Sequence, residues 1–403
     1  MSALNVLCVS SYFKGVDFIK AMAEAGHNVF LLTGSELKDE QWPWECLTDS
    51  YFMDIQEDGT WVMEHLTAGI AYRMREVGFD KFVALDDFDV EQVAHLREHF
   101  RIPGMGSTTA RYFRDKLAMR MKAQEHDIPV PRFTSLFLNQ AVNDYADAGD
   151  APWLIKPRSE ASATGIKKIH SKEELWQVVD SLGDKRPSYL VEKFAPGDVY
   201  HVDSLVYQGE VLFSNVSRYL DTPFEVAHGG GIFRSMTVEK GSEDDVQLQK
   251  LNSQVMEAFG MINSASHTEF IKDKESGKFF FLETSARVGG ANLAEMVETA
   301  TGINLWREWA KIEHCVSLNE PYKLPAVNSD YAGIVVSLSK FQHPDTTSFQ
   351  DTELVWRMNK DWHIGLIVRS QQSSRIAELL DHYTQRIAQE FHASVDPPDA
   401  ARV

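Results

Sequence analysis

Residues 267–292 constrain this chain more than any other stretch. An apolar run, Phe279-Phe280-Phe281-Leu282, ends on Glu283, and Thr284 to Val288 lead into Gly289-Gly290. Upstream, His267-Thr268-Glu269-Phe270-Ile271-Lys272 reads as a second strand, with Asp273-Lys274-Glu275-Ser276-Gly277 as the turn between them. The pattern predicts a hairpin. Residues i and i+2 of a strand share a face, so Glu283, Ser285 and Arg287 can point into one cleft. Two carboxylates on adjacent strands suit a hard divalent cation such as Mg2+. An arginine beside them suits a phosphate or carboxylate. Either acid alone reads more simply as a strand end in solvent; the pairing, with Arg287 and the double glycine, favours metal binding.

A net charge of -19 argues against nucleic acid as a main partner. There is also no basic run suited to an acidic membrane, although a locally basic pocket could still take small anions. The 403 residues allow two or three domains, and 43% hydrophobic with 25% charged residues is the balance of a soluble globular protein. Cys8, Cys46 and Cys315 are too few and too scattered for a disulfide framework or a zinc pattern. A reducing, cytoplasmic setting is expected, with no secretory signal at the N-terminus. No apolar run reaches membrane-spanning length. A homodimer is compatible with the sequence.

Residues 4–10 (strand), 16–25 (helix) and 28–33 (strand) predict the start of a parallel sheet. The first turn, residues 10–15, lacks the glycine spacing of a dinucleotide fold. Residues 41–59 read as a loop and 61–77 as a helix. The strand at 81–85 ends on Asp86-Asp87-Phe88-Asp89, at the sheet edge where ligands bind in open parallel sheets. Asp89 reads as the cap of a helix over 90–100; Asp86 and Asp87 are candidate counter-ions for a substrate amine. Residues 107–126 read as one long helix carrying Lys116 among several basic residues. Residues 152–157 form a strand ending in Lys156-Pro157. The small-residue loop 158–165, with Ser162, Thr164 and Gly165, would let backbone N–H groups approach phosphate. Strands follow at 188–194, 200–207 and 211–219. The loop 224–234, with His228, Gly229 and Gly230, reads equally as a substrate lid or a connector. Arg218, His228 and Arg234 are candidate substrate contacts, each more simply structural. Helices over 291–301 and 303–316 follow the hairpin. Beyond residue 321 the pattern predicts a small α+β region.

Taken together, these segments resemble the ATP-grasp superfamily of carboxylate–amine ligases, most closely over residues 102–312. The resemblance implies a Rossmann-like domain over 1–105, an ATP-grasp domain over 106–320 with a lid at about 130–195, and a C-terminal region over 321–403. Lys116 and Lys156 match its two ATP-binding lysines, and residues 158–165 its phosphate loop. Glu192-Lys193-Phe194-Ala195 matches its adenine hinge, in which the Glu192 carboxylate and Lys193 carbonyl accept from adenine and the Ala195 N–H donates. Glu269 and Glu283 match the metal-binding acids, and Arg287 the arginine that holds transferred phosphate or substrate carboxylate. Ser285 stands where the family has asparagine. Asp198 and His201 are the nearest matches to the ribose-binding acid.

The resemblance implies an α/β and α+β enzyme using ATP and Mg2+, with Mn2+ as an alternative. It would activate a small carboxylate as an acylphosphate for attack by an amine, with Lys156 and Arg287 as the catalytic cations, and release ADP. A bicarbonate-using carboxylase is a second reading, although the chain has no biotin-accepting Ala-Met-Lys-Met. A third is an ATP-binding module without turnover.

Overall fold

The computed structural model describes residues 3–56, 60–161 and 164–394, without the side chains of residues 227 and 228. The first unit is a parallel sheet of β1 (Asn5–Ser10), β2 (Asn28–Gly34), β3 (Asp49–Met53) and β4 (Lys81–Ala84), in the order β3-β2-β1-β4. Its flanking helices are α1 (Val16–Glu24), α2 (Met63–Arg73) and α3 (Val90–Phe100). β1 is buried almost throughout, as expected of a central parallel strand. β3 lies inside the segment expected to be a loop. Among the described residues its one strand partner is β2, and its side chains are half-buried or exposed, so it lacks a strong apolar alternation.

The long helix expected over 107–126 is two helices, α4 (Ser107–Arg111) and α5 (Lys116–Glu125). Asp115 causes the break: its side chain accepts from Leu117 N and Ala118 N as the cap of α5, and Arg158 clamps it from the next unit. An N-cap of this kind is worth about 1 kcal/mol. The break makes Lys116 the first residue of α5.

The next unit is an antiparallel sheet of β5 (Phe133–Ser135), β6 (Trp153–Pro157), β7 (Lys167–Ile169) and β8 (Tyr189–Lys193), in the order β5-β8-β6-β7. Helices α6 (Asn139–Asp147) and α7 (Lys172–Leu182) accompany it. Ser171 caps α7 by accepting from Glu174 N. The unit has its own apolar core around Leu136, Trp153, Ile155, Leu175 and Val191.

A large antiparallel sheet completes the molecule. Its strands are β9 (Gly197–Tyr207), β10 (Glu210–Tyr219), β11 (Phe233–Thr237), β12 (Ser264–Asp273), β13 (Phe279–Ser285), β14 (Tyr331–Leu338), β15 (Leu354–Arg357) and β16 (His363–Ser370). Their order is β13-β12-β9-β10-β11-β14-β16-β15. The C-terminal strands thus extend the central sheet through the pairing of β11 with β14. The helices are α8 (Pro223–Gly229), α9 (Glu243–Phe259), α10 (Leu293–Thr301), α11 (Leu305–Leu318) and α12 (Ser373–Glu390). Trp309 of α11 packs edge-on to Phe18 of α1 at 4.9 Å, which joins the central and first units in one core. Among the described residues, no helix is long and apolar enough to cross a membrane.

α8 occupies part of the segment expected to be a glycine loop. Thr222 and Glu225 form a capping box, with Pro223 at the first helical position, a local start signal that the neighbouring glycine run obscures. Gly230 ends the helix in the left-handed region at φ 61°.

Candidate active site

The hairpin of β12 and β13 sets the site. Glu269 lies opposite Glu283 and His267 opposite Ser285, with a register shift just after Glu269. These residues line a cavity of about 620 Å³ bounded by all three units. Lys116 of α5, Lys156 of β6 and Arg287, which follows the hairpin, line it as well. Asp86 and Asp87, after the end of β4, line it too, and Asp87 approaches Arg287.

Charges are paired across the units. Lys116 Nζ donates to Glu283 at 2.6 Å and to the Glu160 carbonyl at 2.7 Å. Burial disfavours the Glu283 charge, but Lys116, then Lys156 and Arg120, outweigh it and hold the carboxyl at about 2. Tyr219 O–H donates to Glu269 at 2.9 Å. Ser285 Oγ, Arg287 Nε and Asp87 Oδ1 are buried without a hydrogen-bond partner in the structure. A buried polar group left unpaired costs about 1–3 kcal/mol, and on the wall of a cavity a bound ligand can remove that cost. A hydroxyl without a partner beside two carboxylates fits a hard cation that takes oxygen ligands. Arg287 Nε stands 3.9 Å from Asp87 Oδ1, beyond hydrogen-bond reach.

Glu192 is 1% exposed and has both oxygens engaged, one by Lys156 and the other by Arg120 at 2.9 Å. Burial opposes its charge, and Arg120 and Lys156 overcome that and keep its carboxyl below the usual range. Arg120 is itself fully buried and also donates to the Leu282 carbonyl. The Glu192 carboxylate, expected at the adenine, therefore holds Lys156 and Arg120 in place. Lys193, Phe194 and Ala195 line the cavity beside it, and Lys168 Nζ sits 3.7 Å from the Phe194 ring centre. The apolar side chains of Leu154, Val199, Ile271 and Leu282 line the same cavity and suit a flat aromatic ring.

Other expectations need correction. His201 is fully buried, bonded to Asp203 at 2.7 Å and Ser235 at 2.8 Å, and does not line the cavity. Asp198 is exposed, opposite Lys272 in the sheet, and does not line it either. Neither is placed to hold a ribose. Arg218 precedes the cavity-lining Tyr219 and so faces the other side of β10. Arg234 is committed to Asp221 and, at 2.9 Å, to Asp381 of α12. Gly229 and Gly230 end α8 away from the cavity lining, which takes Phe224 and Val226 from that helix instead. Thr164 lines the cavity, whereas Gly165 turns against Pro157. Ser162 and the His228 side chain lie outside the described residues.

At the strand ends, Asp86 is fully buried and salt-bridged to Lys14 at 2.6 Å. Burial opposes its charge, but Lys14 and Arg287 keep its carboxyl below the usual range. Asp86 also accepts from Phe88 N and caps the short turn of helix over 87–89. Asp89 makes no cap bond; it accepts from Ser11 N at 2.7 Å and Trp61 Nε1 at 2.6 Å. Asp87 pairs with Arg114 at 3.0 Å. Lys14, Arg120, Asp203 and Tyr219 were not singled out from the sequence. Lys14, Arg120 and Tyr219 act through partners far along the chain, and Asp203 joins the nearby His201 to the distant His267, so no local spacing marks these roles.

No protein-family model matches the chain. In sequence it is similar to the L-arginine-specific L-amino acid ligase of Bacillus subtilis, 29% identical over 237 residues, covering 57% of this chain and 56% of that protein. The chain thus spans about half the length of that curated relative. It is also similar to a D-alanine–D-alanine ligase of Pseudomonas entomophila, 25% identical over 281 residues, covering 62% of this chain and 84% of that one. In structure it is similar to the L-amino acid ligase of Bacillus licheniformis, with a TM-score of 0.76 and 17% identity over 97% of this chain and 98% of that one. A biotin carboxylase of Campylobacter jejuni is similar at a TM-score of 0.67 and 13% identity, over 93% of this chain and 90% of that one. The chain has the ATP-grasp fold and is related in sequence to the L-amino acid and D-alanine ligases.

Proposed function

We propose that the protein is an ADP-forming ligase that joins the carboxylate of an amino acid to an amine, with ATP and Mg2+ as co-substrate and metal. The supporting observation is the pairing of Glu269 with Glu283 beside the unpartnered Ser285 hydroxyl, on a cavity that Lys116, Lys156 and Arg287 also line. Glu269, Glu283 and Ser285 are the proposed metal-holding residues. When bound, the metal would neutralise phosphate charge and supply Lewis acidity.

Phosphoryl transfer depends on positioning and charge neutralisation more than on covalent chemistry by the protein. Lys116 and Lys156 reach the cavity from two units, so a nucleotide that engages both must sit between them. Arg287, with Nε unpartnered, takes the substrate carboxylate or the phosphate passed to it. Carboxylate oxygen attacks the γ-phosphorus and ADP leaves. The amine nitrogen then attacks the acylphosphate carbon, loses a proton and expels inorganic phosphate. The Lys193 carbonyl and Ala195 N–H are the proposed adenine contacts. Asp87, with Oδ1 unpartnered, is proposed to face the amine substrate, and Asp86, engaged by Lys14 and Phe88 N, to add negative charge behind it. The relative's specificity for L-arginine supports an L-amino acid as one substrate. The free, dispersed cysteines agree with a cytoplasmic setting.

ADP release measured with Mg2+ and a panel of L-amino acids, singly and in pairs, tests the proposal. Amino-acid-dependent ADP release with a dipeptide seen by mass spectrometry is expected. Turnover that requires bicarbonate and biotin would instead identify a carboxylase. Tight ATP binding without turnover on any acceptor would identify a non-catalytic module.

A further inference from the structure

Beside the hairpin, on the same face of the sheet, lies a buried polar cluster that the proposed chemistry does not use. Register places Asp203, His267 and Ser285 in one row across β9, β12 and β13, and His201, Glu269 and Glu283 in the next. Asp203 is fully buried. Its two oxygens go to different imidazoles, Oδ2 to His201 Nδ1 at 2.7 Å and Oδ1 to His267 Nδ1 at 2.8 Å. His201 Nε2 meets Ser235 Oγ at 2.8 Å on β11.

Three ligand-type atoms from His201, Asp203 and His267 lie within 4.8 Å of one another. The geometry is nevertheless that of a hydrogen-bond network, since each Nδ1 faces its own carboxylate oxygen. An ionised carboxylate only accepts, so both imidazoles present Nδ1–H to Asp203. For His267 this turns Nε2 towards the cavity wall, 3.6 Å from Glu269 Oε1 and 3.4 Å from the Tyr219 hydroxyl. Tyr219 donates to that same Glu269 oxygen. Gly289 packs closely on this pair: a Cβ there would stand 2.9 Å from both Asp203 Oδ1 and His267 Nδ1.

We propose that Asp203 is a positioning residue for Glu269: it fixes the His267 and His201 rings that pack on Tyr219, 3.4 Å from the hydroxyl and 4.7 Å from the ring centre respectively, and so holds the hydroxyl that turns Glu269 Oε1 inward and leaves Oε2 for the cavity. The inference rests on the ligase reading only in taking Glu269 as a metal-holding group. Groups that orient metal ligands in this way typically contribute 10–100-fold in metal affinity or activity.

The test is Mn2+ binding, followed by electron paramagnetic resonance in the presence of ADP, for the wild type, Asp203→Asn, Asp203→Ala and Tyr219→Phe. Melting temperature and ADP affinity in EDTA are recorded for each. Asp203→Asn keeps the volume but offers one acceptor where two are needed. Tyr219→Phe removes the other hold on Glu269 with the least disturbance to the fold. The expected result is a roughly 10–100-fold weaker Mn2+ site in these variants, with ADP affinity in EDTA unchanged. Wild-type Mn2+ affinity in folded Asp203 variants, or in Tyr219→Phe where those do not fold, overturns the inference alone; a Mn2+ site that survives Glu283→Ala overturns it together with the metal reading. A wild-type protein with no ADP-dependent Mn2+ site overturns the inference and the metal reading together.

Discussion

The Arg120–Glu192–Lys156 cluster gives a prediction whose size follows from burial. Arg120 is fully buried and Glu192 1% exposed, so neither has water to fall back on. Breaking a buried ion pair by removing one partner costs about 3–5 kcal/mol, because the other charge is left uncompensated. Arg120→Met removes a cation from Glu192 but leaves Lys156 to balance it, so a cost near the lower end, about 3 kcal/mol, is expected. Glu192→Leu strands both cations and should cost about 5 kcal/mol. The double variant Arg120→Met/Glu192→Leu leaves only Lys156, which can reach the cavity and its solvent. Its cost should therefore fall well below the sum, with a coupling of about 2–3 kcal/mol, as for residues that share one network. Equilibrium unfolding in urea, with ATP affinity measured in parallel, provides the readout. Both single variants should also weaken ATP binding, since each loosens the anchor of Lys156. Strictly additive costs, or single costs below about 1 kcal/mol, would refute the view that Glu192 is an internal clamp.

Glu283→Ala should remove Mg2+-dependent turnover by on the order of a hundredfold or more, with an unchanged far-ultraviolet circular dichroism spectrum; an active, metal-responsive variant would contradict the site assignment. Gly197→Ala should destabilise by about 1–3 kcal/mol and displace the segment after Ala195, because a Cβ at 197 would stand 2.2 Å from the Lys272 carbonyl oxygen; calorimetric melting and ATP affinity report both effects. His27 carries a pH prediction: burial, then the neighbouring His314, pushes its pKa below the ordinary 6.5. The unfolded chain then takes up this proton first as pH falls below 6.5, so the His27 contribution to stability declines on acidification and is constant above that range. The difference in urea midpoint between wild type and His27→Gln, followed from pH 8 to pH 5, should therefore shift in favour of the variant as the pH falls.

The core of the candidate site was legible because a hairpin ties register to sequence. Period two puts Glu283 and Ser285 on one face, and the short turn brings Glu269 opposite. Lys156 was legible for a similar reason, at the end of an apolar strand before proline. Lys116 was hidden among the basic residues of what read as one helix. Its position depends on the Asp115 cap, and that cap is held by Arg158, 43 residues away. The two ribose candidates miss the cavity for different reasons: Asp198 alternates away from the cavity-lining Gly197 and Val199, whereas His201 shares their face but is fully buried and engaged by Asp203 and Ser235. Arg234 was a cation near a glycine run, but its partners Asp221 and Asp381 lie on other elements. The union of the C-terminal strands with the central sheet rests on the pairing of β11 with β14, a long-range contact that no local pattern encodes.

Transfer of a labelled oxygen tests the central claim most directly. An amino acid carrying 18O in its carboxylate is turned over with ATP, Mg2+ and an amine, and the inorganic phosphate is analysed by mass spectrometry. Activation as an acylphosphate predicts one 18O in the phosphate for each amide formed. Amide formation with no label in the phosphate, or phosphate release without amide, would contradict the account.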